Sequence, residues 1–298
     1  MKIMVTGASG LIGGKLTKSL QKENHEVVRV SRKRDDNNLF WDPSNKEIDP
    51  AALENIDCVI HLAGENIAGR WTSVKKQKIR DSRKLGTSFL TQALAKTASP
   101  PKVLICASAI GYYGDRGEEE IDEKSKFGKG FLADVVREWE AATTPASVKG
   151  IRVVNMRFGV VLSAEGGALA KMLPPFRMGL GGIVGDGKQF WSWVALDDVV
   201  GALLHVLNNG DIEGPVNVVS PNPATNATFT KALGKTLSKP TLLPMPKLAV
   251  KIALGEMGEA LLLASARVRP RKLLNSGYEF KYPELMPALK NILDTHTA

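Results

Sequence analysis

Seven residues near the N-terminus restrict the fold more than anything else in the chain. Gly7-Ala8-Ser9-Gly10-Leu11-Ile12-Gly13 follows the apolar run Lys2–Thr6 directly and opens a helical stretch, Leu11–Glu23. The first glycine permits a tight turn, the second lets the backbone approach a bound phosphate, and the third lets helix and strand pack closely. A helix that begins there offers unpaired amides and the positive end of its dipole to an anion. A glycine pattern alone is a weak signal. With a strand before it, a helix after it and a second strand at Glu26–Ser31, the unit predicts a dinucleotide site. Gly7, Gly10, Leu11, Ile12 and Gly13 then face the pyrophosphate.

The rest of the first half repeats the alternation. Strands are expected at Cys58–Leu62, Val103–Ala107 and Arg152–Arg157, with helices at Ser73–Thr97 and Phe131–Thr143. The strands are nearly continuous apolar runs, as strands covered on both faces must be. The fold class is therefore α/β, a Rossmann-type doubly wound parallel sheet with a smaller C-terminal lobe. Residues 1–165 form the cofactor domain and 166–298 the smaller lobe, with 197–220 rejoining the first domain. In the lobe, Pro174-Pro175 and the glycines of Gly166–Gly187 signal turns, and Asp197-Asp198 reads as the cap of a helix over Val199–Leu207.

The end of the second strand bears on which dinucleotide is bound. Proteins that bind NAD usually place an acidic residue there for the ribose hydroxyls. This chain has Ser31-Arg32-Lys33-Arg34. Ser31 can donate to a phosphate oxygen, and Arg32 can pair with a 2′-phosphate. NADP is the expected cofactor.

A formal net charge of +9 raises the possibility of nucleic acid. Basic residues cluster at Lys75–Lys84 and Arg267–Lys272, but no aromatic residues interleave with them, and no DNA-binding spacing is present. A basic surface equally suits a phosphate-rich cofactor and an anionic small-molecule substrate, so nucleic acid ranks last. No apolar run is long enough for a membrane span, and the first residues lack a secretory h-region, so the expected location is cytoplasmic with no membrane partner. Cys58 and Cys106 sit in apolar runs and read as core residues. His25, His61, His205 and His296 show no ligand spacing, and no metal site is expected.

Several further stretches carry a family resemblance. They are His61-Leu62-Ala63-Gly64-Glu65-Asn66, Ser108-Ala109-Ile110-Gly111-Tyr112-Tyr113-Gly114, Arg157–Leu162, Pro175–Gly182, Gly187–Asp198 and the C-terminal Arg267–Tyr282. With the glycine loop, they make the chain resemble the extended short-chain dehydrogenase/reductases, and more narrowly the atypical epimerase family proteins often labelled nucleoside-diphosphate-sugar epimerases. The resemblance implies that Leu62, Ala63 and Gly64 pass the cofactor ribose and that Val160 lies in the loop approaching the nicotinamide. Arg83 falls where relatives often carry a cofactor-proximal asparagine; a solvated helix charge is the equal alternative. One departure stands out. Relatives carry Tyr-x-x-x-Lys on the helix that here reads Phe131–Glu140, the tyrosine acting as acid/base and the lysine lowering its pKa. That pair is missing, with Phe131 and Val135 as expected occupants of its face. Ser108 and Tyr113 are the remaining catalytic candidates, although wall packing is the favoured role for Tyr112 and Tyr113. The implied function is an NADP(H)-binding oxidoreductase or epimerase-like protein with a nonstandard active site; the alternative is a non-catalytic NADP(H) sensor.

Overall fold

The computed structural model describes residues 1–34 and 38–294, so His296 lies outside the described residues. Strand and helix alternate from the start. β1 (Lys2–Thr6), α1 (Leu11–Lys22), β2 (Glu26–Ser31), β3 (Leu39–Asp42), β4 (Glu47–Ile48) and β5 (Cys58–His61) come first. α2 (Ser73–Lys96), β6 (Val103–Ala109), β7 (Glu120–Ile121), α3 (Phe131–Ala141), α4 (Thr144–Val148) and β8 (Arg152–Phe158) follow. The second half holds β9 (Val160–Leu162), α5 (Gly167–Arg177), β10 (Phe190–Trp191), β11 (Trp193–Ala195), α6 (Leu196–Asn208), β12 (Gly214–Val218), β13 (Ala224–Thr225) and α7 (Asn226–Thr236). It ends with α8 (Lys247–Gly258), β14 (Arg267–Val268), α9 (Arg271–Asn275) and α10 (Leu285–Asp294).

Eight strands form the main sheet in the order β12-β8-β6-β5-β1-β2-β3-β4, and every pair but β3–β4 is parallel. The central strands are covered on both faces, which is why Ile3, Met4, Val5, Val59, Ile60, Leu104 and Ile105 are all fully buried. Cys58 and Cys106 are free thiols in the same layer, and burial pushes the Cys58 pKa up to about 12. From β1 the chain moves outward through β2 and β3. It then returns to the other side of β1 and moves outward again through β5, β6, β8 and β12. The connections therefore leave β1 in opposite directions, and a crevice opens at the carboxyl ends of β1 and β5.

Val199, Leu203 and Val206 of α6 pack in this main core together with Val216 and Val218 of β12 and Leu273 of α9. A second core gathers Leu169, Leu173 and Phe176 from α5, Trp191, Trp193, Phe229 and Leu233, and Leu285 and Leu289 from α10. Two local expectations are corrected here. Pro174 and Pro175 do not end a segment in a turn; they lie inside the last turns of α5. Each proline removes an amide donor, and burial of Leu173 and Phe176 on either side holds the helix nonetheless. Asp198 is not a cap either. The helix starts at Leu196, its N-cap is Ala195, and Asp198 sits in the first turn. Its buried carboxylate accepts hydrogen bonds from the Lys281 amide at 2.7 Å, the Tyr282 amide at 3.0 Å and the Tyr278 hydroxyl at 3.2 Å. Asp198 thus fastens the C-terminal segment to α6.

Candidate functional site

The glycine loop is built by backbone contacts that exclude side chains. Gly7 has φ of +70°, and a methyl group placed on it would lie 2.8 Å from the Leu62 carbonyl carbon and 2.9 Å from the Ala63 nitrogen. A methyl group on Gly13 would stand 2.2 Å from the Gly7 oxygen. Gly10 is different: it is exposed, and the nearest atom to such a methyl is the Gly7 oxygen at 3.2 Å. Gly10 is also the N-cap of α1, with no side-chain cap and no acidic residue in the first turn. The helix end is left with amides for an external acceptor. Leu11, Ile12 and the following turn complete this wall, and the Leu11 side chain packs under Gly166 and Gly167.

A buried polar chain fixes the facing wall. Thr6 Oγ1 accepts the amides of Leu62 and Ala63, each at 3.2 Å, and bonds His61 Nδ1 at 2.7 Å. His61 Nε2 reaches Thr87 Oγ1 at 3.0 Å, and Trp139 Nε1 donates to the same oxygen at 2.9 Å. With Thr6 donating to Nδ1, the neutral ring donates from Nε2 to Thr87. β1, β5, α2 and α3 are thereby tied together beneath Leu62 and Ala63. Burial lowers the His61 pKa from 6.5 to about 4. The stability this gives is complete above pH 6.5 and is lost as pH falls toward about 4, because the unfolded chain binds the proton that the native site refuses. Over that window wild type is expected to lose on the order of 3 kcal/mol that a His61→Asn variant does not lose. Urea midpoints near pH 7 and about pH 4.5 check this, and parallel losses in both proteins would refute it.

Arg83 joins the same wall. Its Nη1 donates to the carbonyls of Glu65 at 3.0 Å and Ile79 at 3.2 Å, and its guanidinium lies 5.0 Å from the Trp139 ring centroid. The guanidinium carbon is 3.6 Å from where a Gly64 side chain would begin. Burial lowers its pKa to about 10, so it keeps its charge at neutral pH. It is not a solvated helix charge. At the end of β2, Ser31 Oγ accepts the Lys33 amide at 3.0 Å, and Arg32 is exposed. The Asp42 pKa is lowered chiefly by the Ser44 amide and that of Glu65 chiefly by its hydrogen bond from Lys75, with the Arg32 charge a smaller contribution to both. Val160, half-buried at the start of β9, pairs with Trp193.

The ends of β6 and β8 carry a network the sequence did not reveal. Arg157 donates from Nε and Nη2 to the two Glu140 oxygens, both at 2.7 Å. Ser108 Oγ donates to Glu140 at 2.6 Å, Arg157 Nη1 donates to the Tyr113 hydroxyl at 2.9 Å, and that hydroxyl donates to Asn217 Oδ1 at 2.8 Å. Tyr113 is 0% exposed and Ser108 2%. Burial pushes the Tyr113 pKa up to about 12. Tyr112, half-buried, stacks its ring 3.5 Å from the Arg157 guanidinium. The one legible hint was an arginine inside the apolar strand Val153–Phe158, which needs a buried acid.

The register of α3 also departs from expectation. Phe131 turns toward the start of α2, where it meets Trp71, which precedes that helix, at 5.2 Å between ring centroids, and Val135 packs with Trp71 and Ile79. Leu132 and Val136 are the residues against the β6 turn, with Leu132 Cβ at 3.3 Å and Val136 Cγ2 at 3.9 Å from a methyl placed on Gly111. Neither carries an exchangeable proton. A cleft of about 680 Å³ opens beside the N-terminus of α3, lined by Trp71, Lys76, Arg80, Phe131 and Glu256 among others.

Fold and loop together define a dinucleotide-binding α/β protein with the topological switch point of the doubly wound class. The chain belongs to the NAD dependent epimerase/dehydratase family, which matches residues 3–219, and residues 245–292 match a domain of unknown function, DUF1731. It is 42% identical over 290 residues to the epimerase family protein Mb2239 of Mycobacterium bovis, with 96% of each chain covered. Human epimerase family protein SDR39U1, solved with NADPH, superposes with a TM-score of 0.92 at 37% identity over 99% of both chains. The UDP-glucose 4-epimerase of Thermotoga maritima shares the fold at a TM-score of 0.77 and 20% identity, covering all of both chains.

Proposed function

We propose that the protein binds NADP(H) and acts as an oxidoreductase or epimerase-like enzyme on a small molecule. The observation that carries the cofactor is Arg32 beside Ser31 at the end of β2, exposed and in the place of the usual acid. The NADPH found with human SDR39U1 supports the same choice. The backbone cradle at Gly7–Gly13 fits a pyrophosphate, and Gly64 with Arg83 borders the ribose side. A bound nicotinamide would supply or accept hydride at C4. The protein's own part is to hold the phosphates at the α1 amides and to wall the ring with Leu132, Val136 and Val160. The cleft at the N-terminus of α3 is large enough for a small substrate. Both basic clusters are engaged internally, Lys75 by Glu65, Lys76 by Glu256, and Arg267, Arg269 and Arg271 around Glu120, which leaves little for a nucleic acid.

Arg32→Ala is expected to weaken NADPH binding by about 1–3 kcal/mol and to leave NADH nearly unchanged. Fluorescence titration of both dinucleotides reads the difference. Wild type that binds NADH as tightly as NADPH would overturn the assignment.

The network around Glu140 favours the sensor as a second reading. Ser108 and Tyr113 spend their hydroxyl protons on Glu140 and Asn217, so neither is placed to protonate a substrate in this arrangement. NADPH turnover with a panel of carbonyl compounds and sugar nucleotides separates the two. Tight NADPH binding with no turnover across the panel moves the assignment to a non-catalytic NADP(H)-binding protein.

A further inference from the structure

Half of the fourteen large apolar side chains exposed among the described residues belong to two short stretches of the C-terminal lobe. Met178 and Leu180 follow α5, while Leu242, Leu243, Met245, Leu248 and Ile252 run from the loop after α7 into α8. The stretches are one surface. Val184 bridges Met245, the Met245 amide donates to Ile183 at 2.8 Å, and Gly182 packs so closely on Leu243 that no side chain fits between them. Leu242 is 82% exposed, Ile252 71% and Leu248 67%. Such side chains project outward rather than line a groove. No aromatic residue is among them, although aromatic anchors typify protein–protein hot spots. Of α8, among its large apolar side chains only Val250 is fully buried.

Cations outnumber carboxylates around this surface. Lys247 is paired with Asp186 at 2.9 Å and Lys251 with Glu259 at 2.6 Å. Arg177 and Lys239 flank the same stretches and make no ion pair among the described residues, while Lys188 donates its backbone amide to Asp186 at 3.0 Å and shares that one carboxylate with Lys247. The uncompensated charge is therefore positive. A second copy docked face to face would set these cations against one another. An anionic lipid surface would neutralise them while taking up the aliphatic tips.

We propose that this face is a peripheral membrane contact, in which Leu242, Leu248 and Ile252 enter the headgroup boundary of an anionic bilayer and Arg177, Lys188 and Lys239 meet lipid phosphates. No described helix is long and apolar enough to cross a membrane, and a peripheral contact needs none. It departs from the sequence expectation of no membrane partner, which rested on the lack of a span and a secretory segment.

Each basic residue near an anionic leaflet raises partitioning about fivefold, so binding should depend on both lipid charge and salt. The test is flotation of the full chain with vesicles of phosphatidylcholine alone or mixed equally with phosphatidylglycerol. Wild type is expected to float with the mixed vesicles, at least about tenfold more than with neutral ones, and to be released by high salt. The Leu248→Asp/Ile252→Asp variant and the Arg177→Glu/Lys239→Glu variant should both lose binding while keeping wild-type circular dichroism. All four positions are exposed, so the fold does not depend on them. Failure of wild type to float with either vesicle overturns the proposal, as does equal binding to both. A wild-type dimer in ultracentrifugation that Leu248→Asp/Ile252→Asp dissociates, without vesicle binding, assigns the face to a second copy instead.

Discussion

Arg157→Leu is expected to destabilise the protein by about 3–5 kcal/mol, because it leaves the Glu140 carboxylate in the core without its counter-ion. The pair is bidentate, and the Arg157 and Glu140 side chains are only 3% and 14% exposed. Ser108 supplies one more hydrogen bond, which cannot replace a cation. Tyr113 loses the donor to its hydroxyl at the same time. For a chain of this size the loss corresponds to a fall in melting temperature of about 10 °C. The paired variant Glu140→Leu/Arg157→Leu should recover much of that loss, since burying two apolar groups avoids the unpaired charge. Denaturant titration of the single and double variants tests it. A single variant within about 1 kcal/mol of wild type would mean that water already solvates the pair.

Other parts of the molecule show what a sequence reveals and what it hides. The boundaries of β1, α1, β2 and α2 fall within about one residue of expectation, since doubly covered strands are plain apolar runs and the glycine loop marks a chain reversal. β3 and β4 went unseen: four residues and two residues carry too little periodicity. Leu62, Ala63, Gly64 and Arg83 were candidates in the sequence, and the fold brings them together beside the glycine loop; the part His61 plays was hidden, because it lies in hydrogen bonds to Thr6 and Thr87 from other elements. The α3 face was displaced by one residue for a similar reason. Nothing local distinguishes Phe131 from Leu132; the close approach of Gly111 selects Leu132, while Trp71 takes Phe131. Asp198 has a cap residue's composition and position, yet its partners are some eighty residues away. Long-range partners of polar groups are what a local pattern cannot encode.

The two glycines at the phosphate loop are expected to fail in different ways, and the difference tests the cofactor site itself. Gly10 has φ of −77° and ψ of 173°, an extended conformation that any residue adopts, and it is exposed. Its nearest contact leaves room for a Cβ with a shift of a few tenths of an ångström. The fold therefore does not require glycine at position 10. A ligand phosphate drawn to the α1 amides does, because a branched side chain would stand where the phosphate must sit. Gly10→Val should keep wild-type circular dichroism and melting temperature while NADPH affinity falls at least about 100-fold, or roughly 2.7 kcal/mol. Gly13 is the opposite case. Its added methyl would meet the Gly7 oxygen at 2.2 Å, backbone against backbone, so α1 must move away from β1. Gly13→Ala should lose both binding and about 1–3 kcal/mol of stability. Thermal melts and NADPH titrations on the same samples separate the outcomes. If Gly10→Val bound NADPH as wild type does, the phosphates would not lie on this helix end, and the loop would be only a strand-to-helix turn.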